Sequence, residues 1–383
     1  MPAVANVSAT SYAAPVPTPW MPPSTMYSVA ENMSTEWPRC AVPCLEQHCA
    51  LLSDSDSSSC LCAIDTKRAI DHCILGSCGM PEAIFSRNLT ETTCKTPVRS
   101  RNGELKTMIL AVTPFTVFFV SLRITYKLFF TASRCPNREE WTLLAAIVAG
   151  LAALGVIFFG VTANGMGTDV WGLDLATLIS FRRHFVVAQI CYVVLMLLLK
   201  LTYSLFYLNI FLGRRIRALI WATICVHVAI TAACTLVVIL QCVPLDYQWN
   251  KFENIHDDSM SGHCININAA AWVNSIFSCT SDLWLLAIPM SQLHKLNLHW
   301  KKKVGAALMF GTGASVTVVS FLRLASVRYY ASTSNPTWDQ WGIMYWSTVE
   351  IELGFICSSL PTIRLLLVRL APGVFGSASN NPP

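Results

Sequence analysis

From residue 107 onward the chain is a series of long apolar runs separated by short polar breaks. The runs cover roughly 107–130, 142–164, 183–211, 216–241, 269–292, 304–329 and 343–369. A membrane-spanning helix needs about 20 apolar residues, and each run reaches that length. A helix on the surface of a water-soluble protein would show polar positions returning every 3.6 residues. Segments such as LLAAIVAGLAALGVIFFGV are instead apolar all round. The pattern predicts an all-α fold: a polytopic seven-transmembrane helix bundle over about 105–370, with short connectors except at 242–268.

Ahead of the bundle the pattern changes twice. Residues 1–37 are rich in Pro, Ser, Thr and Ala, have no apolar period, and read as a disordered stalk. No basic stretch leading into a long apolar run marks a cleavable signal peptide, which leaves targeting open. Residues 38–96 carry Cys40, Cys44, Cys49, Cys60, Cys62, Cys73, Cys78 and Cys94, half of the 16 cysteines in the chain. So short a stretch buries too little core to stand unaided. Its cysteine density reads as a disulfide scaffold in an oxidising compartment. A zinc site is the weaker alternative, because the paired C-x2-C knuckles of zinc ribbons are absent. Residues 371–383 form a short, featureless tail.

Composition narrows the function. Hydrophobic residues make up 54% and charged residues only 13%, against about 25% charged in soluble domains. A disordered chain is excluded and an ordinary soluble enzyme disfavoured. The net charge of +5 is spread along the chain, so no nucleic-acid partner is expected. No enzyme motif stands out. GASVT around Ser315 lacks the second Gly of a nucleophile elbow, and neither H-E-x-x-H nor a phosphate loop is present. The seventh run holds no Lys for a retinal Schiff base.

Charge also orients the bundle. With the N-terminus outside, the inner loops carry Arg134, Arg138, Arg214, Arg215, Arg217, Lys295, Lys301, Lys302 and Lys303. The outer loops carry Arg182, Arg183, Lys251 and Arg328. The positive-inside rule favours an extracellular N-terminus and a cytoplasmic C-terminus, although Lys95, Arg99, Arg101 and Lys106 would then lie outside. The cysteine-rich stretch agrees with this orientation, as do three glycosylation sequons before the first helix, at Asn6, Asn32 and Asn88.

The cysteine spacing, C-x3-C-x4-C-x10-C-x-C-x10-C-x4-C-x15-C, resembles the fungal CFEM domain, an extracellular eight-cysteine helical module. The short gap between Cys44 and Cys49 departs from the family pattern. Sequence alone leaves 105 connectivities open. The resemblance implies Cys40–Cys78, Cys44–Cys73, Cys49–Cys60 and Cys62–Cys94. The i, i+4 spacing of Cys40 and Cys44 is compatible with stapling to the Cys73 and Cys78 helix. Some CFEM members bind haem through an Asp ahead of the C-x-C. Here that resemblance implies haem as cofactor and Asp56 as axial iron ligand, with Asp54, His48 and His72 as alternatives. The competing reading is that Asp54 and Asp56 are solvated loop residues.

Residues 105–370 resemble fungal seven-helix receptor-like proteins with a rhodopsin-like integral membrane domain, which often carry CFEM at the N-terminus. The matching residues are Glu139-Glu140-Trp141, Gly165-Met-Gly167, Lys200, Cys242, Pro244, Trp249, Gly262-His-Cys264, Asp282, Pro289, Arg323, Glu350, Cys357, Pro361 and Arg364. Each is weak alone; their order along the chain is the signal. Cys242 and Cys264 share the long outer loop and are expected to pair. Cys191, Cys225, Cys234, Cys279 and Cys357 read as small buried hydrophobes within helices.

Ionisable groups inside a membrane are costly and face the bundle interior. Lys200 and Asp282 both fall near mid-membrane. Arg323 and Glu350 lie about 10 and 12 Å from the outer ends of helices six and seven, from residue counts at about 1.5 Å each. Matched depths predict two pairs, Lys200–Asp282 and Arg323–Glu350, either as plain helix clamps or as parts of a ligand-linked switch. Arg123 is expected to snorkel toward the inner interface.

Three functions remain. The first, favoured, is a plasma-membrane receptor of G-protein-coupled type for an extracellular or host-surface cue. In it GRRIR (213–217) and HWKKK (299–303) would meet a heterotrimeric G protein, against ordinary positive-inside anchoring. Its partners would then be membrane lipid, that unknown extracellular ligand and the G protein. The second is haem or iron capture with the bundle as anchor. The third, a transporter, ranks last because no internal repeat is evident.

Overall fold

The computed structural model describes residues 37–49, 57–130, 137–250, 262–293, 300–329 and 334–370. Asn6, Asn32, Asp54, Asp56 and the tail at 371–383 lie outside the described residues. Four short helices build the N-terminal module: α1 (Val42–His48), α2 (Ser57–Cys62), α3 (Ile64–Ser77) and α4 (Met80–Thr93). Its core is small, with Trp37, Ala41, Leu45, Leu61, Ile70 and Ile74 at the centre. Four disulfides hold it together: Cys40–Cys78, Cys44–Cys73, Cys49–Cys60 and Cys62–Cys94. Staples of this kind replace the core that so few residues cannot supply.

The long helices follow as α5 (Asn102–Phe130), α6 (Arg138–Gly155), α7 (Leu175–Ile210) and α8 (Arg214–Ile239). A two-residue hairpin of β1 (Cys242–Val243) and β2 (His263–Cys264), with the one-turn α9 (Tyr247–Asn250) between, leads to α10 (Ile267–Leu293). Then come α11 (Trp300–Ser326), the one-turn α12 (Pro336–Asp339) and α13 (Trp341–Leu370). Among the described residues, α5, α6 with its π-helical continuation to Val161, α7, α8 and α10 are long and apolar enough to cross a membrane. The protein is therefore a multi-pass membrane protein. α7 packs against α6, α8 and α13, while α13 also packs against α5 and α11.

Several boundaries differ from the sequence reading. α7 begins at Leu175, eight residues before the expected 183, after Asp174 in extended conformation. Arg182 and Arg183 thus belong to the helix and not to an outer loop. Charge interrupts the apolar run there, but the backbone continues: Phe181 and Phe185 stack one turn apart at 5.6 Å and are both buried. Arg183 lies 5.7 Å from the ring of Trp249. The Asn88 sequon is a second correction. Asn88 is buried on α4 and accepts a hydrogen bond from Thr92 at 3.2 Å, so this packing has no room for a glycan there. The cysteine expectation also needs amending: Cys279 is buried, but Cys225 is exposed on the outer face of α8.

The module is seated on the bundle. Ile84 of α4 joins an apolar cluster with Leu105, Trp171, Leu178 and Phe181. Asp71 accepts hydrogen bonds from Ser334 at 3.0 Å and from Arg87 at 2.8 Å, and Arg87 lies 5.6 Å over Trp171. Beneath them the linker and two loops interlock. Arg99 pairs with the fully buried Asp169 at 2.9 Å, and Asn335 donates to the same carboxylate at 2.8 Å. Gly167 accepts from the Arg101 N–H and donates to the Thr337 carbonyl. Its φ of +77° is natural only to glycine, and a Cβ would meet Trp341 at 2.7 Å. This is the structural use of the Gly165-Met-Gly167 motif.

Candidate functional site: a buried ionic network beneath an apolar cavity

α7, α10, α11 and α13 each carry one ionisable residue to a common depth. Lys200 Nζ lies 2.9 Å from Asp282 Oδ1, and Arg323 Nε lies 3.3 Å from Glu350 Oε2. All four side chains are buried, Glu350 fully so. Each ion is solvated by the protein in place of water, which is what makes a buried charge tolerable. Lys200 also donates to the Ser278 carbonyl and hydroxyl, both at 3.2 Å, and to Ser281. Glu350 accepts from Tyr192 at 2.9 Å, and Arg323 donates to the Tyr192 oxygen and stacks over its ring at 5.0 Å.

The two pairs are not separate. Ser320 Oγ lies 2.6 Å from Asp282 Oδ2 and 2.7 Å from Glu350 Oε1. Four helices therefore share one network, joined at a hydroxyl on α11. Neither Ser320 nor Tyr192 could be picked out from the sequence. A serine in an apolar helix normally bonds its own backbone, as Ser320 also does to Val316 at 3.1 Å.

A second polar cluster lies at the opposite end. Arg123 donates to Glu139 and to the Ser358 carbonyl, and Asn209 donates to Glu139 at 3.2 Å. It ties α5, α6, α7 and α13. Arg123 is thus fully buried and paired, and it does not snorkel to the interface. Glu140, by contrast, caps α6 by accepting from the Asn137 N–H at 3.2 Å and pairs with Lys127 at 2.6 Å. Between the two clusters Tyr203 of α7 donates to the Gly354 carbonyl of α13. Polar contacts thus join α7 to α13 at two levels, Tyr192 to Glu350 and Tyr203 to Gly354. Glu352, on the neighbouring face of α13, accepts from Thr113 of α5 at 2.9 Å.

Above the first network is a cavity of about 530 Å3 with mostly apolar walls. Phe185, Val193, Val237, Val273 and Met344 contribute to the walls, and Tyr192 and Arg323 line it as well. Gln241, Ile265 and Ile267 also line it, which places one end beside the Cys242–Cys264 disulfide. It therefore lies in the half of the bundle nearest the cysteine-rich module. His48 and His72, the alternative haem ligands, are exposed on α1 and α3.

The sequence model of the fungal rhodopsin domain family matches residues 115–369, from the middle of α5 almost to the end of α13. A SAT4 family membrane protein of Emericella nidulans is 31% identical over 183 residues, which cover 46% of this chain and 43% of the relative. Fugralins biosynthesis cluster protein 2 of Gibberella zeae is 24% identical over 232 residues, 58% of this chain and 57% of the relative. Receptor GIN3 of Arthrobotrys oligospora is 26% identical over 195 residues, 51% of this chain and 46% of the relative. The chain spans about half the length of these curated relatives. No solved structure matches.

Proposed function

Because the chain belongs to the fungal rhodopsin domain family, we propose that it is a seven-span receptor of the fungal plasma membrane that senses an extracellular or host-surface cue. The observation that carries this reading is the sharing of Tyr192 and Arg323 between the cavity and the buried network. A ligand in the cavity touches residues that are bonded to α13, and through Ser320 to α10. A ligand shifts a conformational equilibrium by its differential contacts with the two states. Here those contacts fall on a network with one proton donor between two carboxylates, so a small displacement changes which helices are held together.

The orientation proposed has the N-terminus outside and the C-terminus inside. It is supported by the disulfides among the described residues lying at one end of the bundle, as an oxidising space requires. Arg214, Arg215 and Arg217 lie exposed at the other end. The four cysteine pairs support reading residues 38–96 as a CFEM module. In this proposal the module stands over the cavity and gathers the cue, and GRRIR (213–217) with HWKKK (299–303) meets a heterotrimeric G protein.

The test uses fungal cells carrying an N-terminal epitope and a reporter of cytoplasmic signalling, exposed to host-surface extracts. Wild-type cells are expected to label intact and to respond. Cells carrying Lys200→Met with Asp282→Leu are expected to label equally and to lose the response. An equal response in the double variant, or an epitope accessible only after permeabilisation, overturns the reading.

A further inference from the structure

We propose that the cavity binds a neutral, lipophilic molecule bearing one hydrogen-bond-accepting oxygen, such as a long-chain ketone, alcohol or ester, and that this oxygen docks on Arg323. The proposal deepens the receptor reading by naming the class of its ligand. The cavity, about 530 Å3, falls within the size range of small-molecule sites. Its walls are mostly apolar, so most of the ligand must be hydrocarbon.

The polar end is set by Arg323, which is 1% exposed and lines the cavity. Its Nη1 donates to Tyr192, and its Nε lies 3.3 Å from Glu350. Nη2 and Nε are both buried without a hydrogen-bond partner among the described residues, Nε having only its ionic contact with Glu350. A buried donor left unmatched is costly, and a ligand oxygen would match it.

Charge decides between a neutral oxygen and a carboxylate. Lys200 and Arg323 already face Asp282 and Glu350, one acid for each base. A carboxylate ligand would add an uncompensated charge to a desolvated site. A carbonyl, hydroxyl or ester oxygen supplies the acceptor without the charge.

The route of entry agrees with a lipophile. Val237 of α8 and Val273 of α10 line the cavity and are 39% and 66% exposed. The two helices that carry these residues touch only sparsely. A molecule dissolved in the bilayer can reach it laterally.

The test is saturation binding of radiolabelled methyl dodecanoate to the full chain in lipid nanodiscs, with empty nanodiscs as background. The expected result is one saturable site. 2-Tridecanone should compete well, and dodecane and dodecanoate about tenfold or more less well, since a hydrogen bond to a charged donor is at stake. Arg323→Lys keeps the positive charge beside Glu350 but loses the fork. It should weaken the ester about tenfold and leave dodecane unchanged. Ala270→Phe, on the cavity wall away from the network, should abolish binding and keeps the test sharp if the Arg323 variant fails to fold. Three results would overturn the proposal: no saturable binding, dodecane equal to the ester, or Ala270→Phe binding like wild type. Binding without any cellular response to the cue would sustain this ligand class while the receptor reading fails. A response without binding would do the reverse.

Discussion

Asp282 and Glu350 sit on different helices, yet both lie within 2.7 Å of the same hydroxyl, Ser320 Oγ. That hydroxyl has one proton to give. At any instant it can donate to one acceptor only, the carboxylate of α10, that of α13 or the Val316 carbonyl, and a carboxylate without it relies on its remaining partners. Lys200 lies 2.9 Å from Asp282 and Arg323 lies 3.3 Å from Glu350. Ser320→Ala removes the shared donor and leaves one buried carboxylate short of a hydrogen bond. Thermal unfolding in nanodiscs should show a loss of about 1–3 kcal/mol. Ser320→Thr keeps the hydroxyl and should recover most of it. Equal stability of wild type and Ser320→Ala would show that the hydroxyl joins nothing.

The ion pairs make a separate prediction. Lys200→Met alone leaves Asp282 charged and buried, which costs about 3–5 kcal/mol. Cell-surface labelling of that single variant should fall steeply. Lys200→Met with Asp282→Leu replaces both ions by apolar groups and should restore surface labelling close to wild type. The charge swap, Lys200→Asp with Asp282→Lys, is the stricter form of the same test. If neither double variant rescues the singles, the two residues do not act as a pair.

The module carries its own pH dependence. Burial works to raise the Glu91 carboxyl, but the hydrogen bonds from Lys67 and Thr96 and the charge of Arg87 outweigh it and hold the group below its ordinary 4.5. The Lys67 and Arg87 contacts are 2.5 and 2.7 Å. The folded state therefore takes up this proton less readily than the unfolded state. The resulting stability is fully present above about pH 4.5 and is lost as pH falls below it. Denaturant unfolding of the full chain at pH 6 down to pH 3 should show this loss. In Glu91→Gln the acid-dependent part of the slope should shrink, while stability at pH 6 starts lower.

Much of this arrangement was legible in the sequence, and what was missed has a common cause. Among the described residues the apolar runs fall on long helices, five of them long and apolar enough to cross a membrane, because hydrophobicity over 20 residues is a strong local signal. Counting residues from the helix ends placed Lys200 with Asp282 and Arg323 with Glu350, because helical rise converts sequence into depth. What depth cannot show is azimuth. Ser320 and Tyr192 complete the network only because α11 turns Ser320 toward α10 and α13, and α7 turns Tyr192 toward Glu350 and Arg323. The same holds for Arg123: depth alone put it near the inner interface, while rotation about the α5 axis turns it inward onto Glu139. The start of α7 was missed because Arg182 and Arg183 broke the apolar run, a signal that marks membrane depth and not the end of a helix.

The glycine at the cap joint makes a prediction about coupling between the module and the bundle. Gly167 holds the 162–169 loop between the linker and α12, with hydrogen bonds on both sides. Gly167→Ala meets a backbone conformation of φ +77° and a Trp341 carbon 2.7 Å away. The strain should cost about 1–3 kcal/mol, concentrated where Arg99, Asp169 and Asn335 meet. Hydrogen exchange should then rise at the 99–101 linker and at 334–338, and stay unchanged at the Ser320 network. Uniform loosening of the whole bundle would show that the joint and the network are one cooperative unit.

The hairpin disulfide can be tested against the cavity it borders. Cys242–Cys264 closes a segment of 22 residues, and the chain-entropy account gives such a link about 3 kcal/mol. Gln241 and Ile265, flanking the two cysteines, line the cavity, and Ile265 donates its N–H to the Gln241 carbonyl at 2.8 Å. Replacing both cysteines by serine frees the 242–264 segment in the unfolded chain and loosens that end of the cavity in the folded one. Two measurements separate these effects. The unfolding midpoint should fall, and the dissociation rate of a bound lipophile should rise while the Ser320 network keeps its exchange protection. A lower midpoint with unchanged dissociation would mean that the hairpin stabilises the chain but takes no part in holding the ligand.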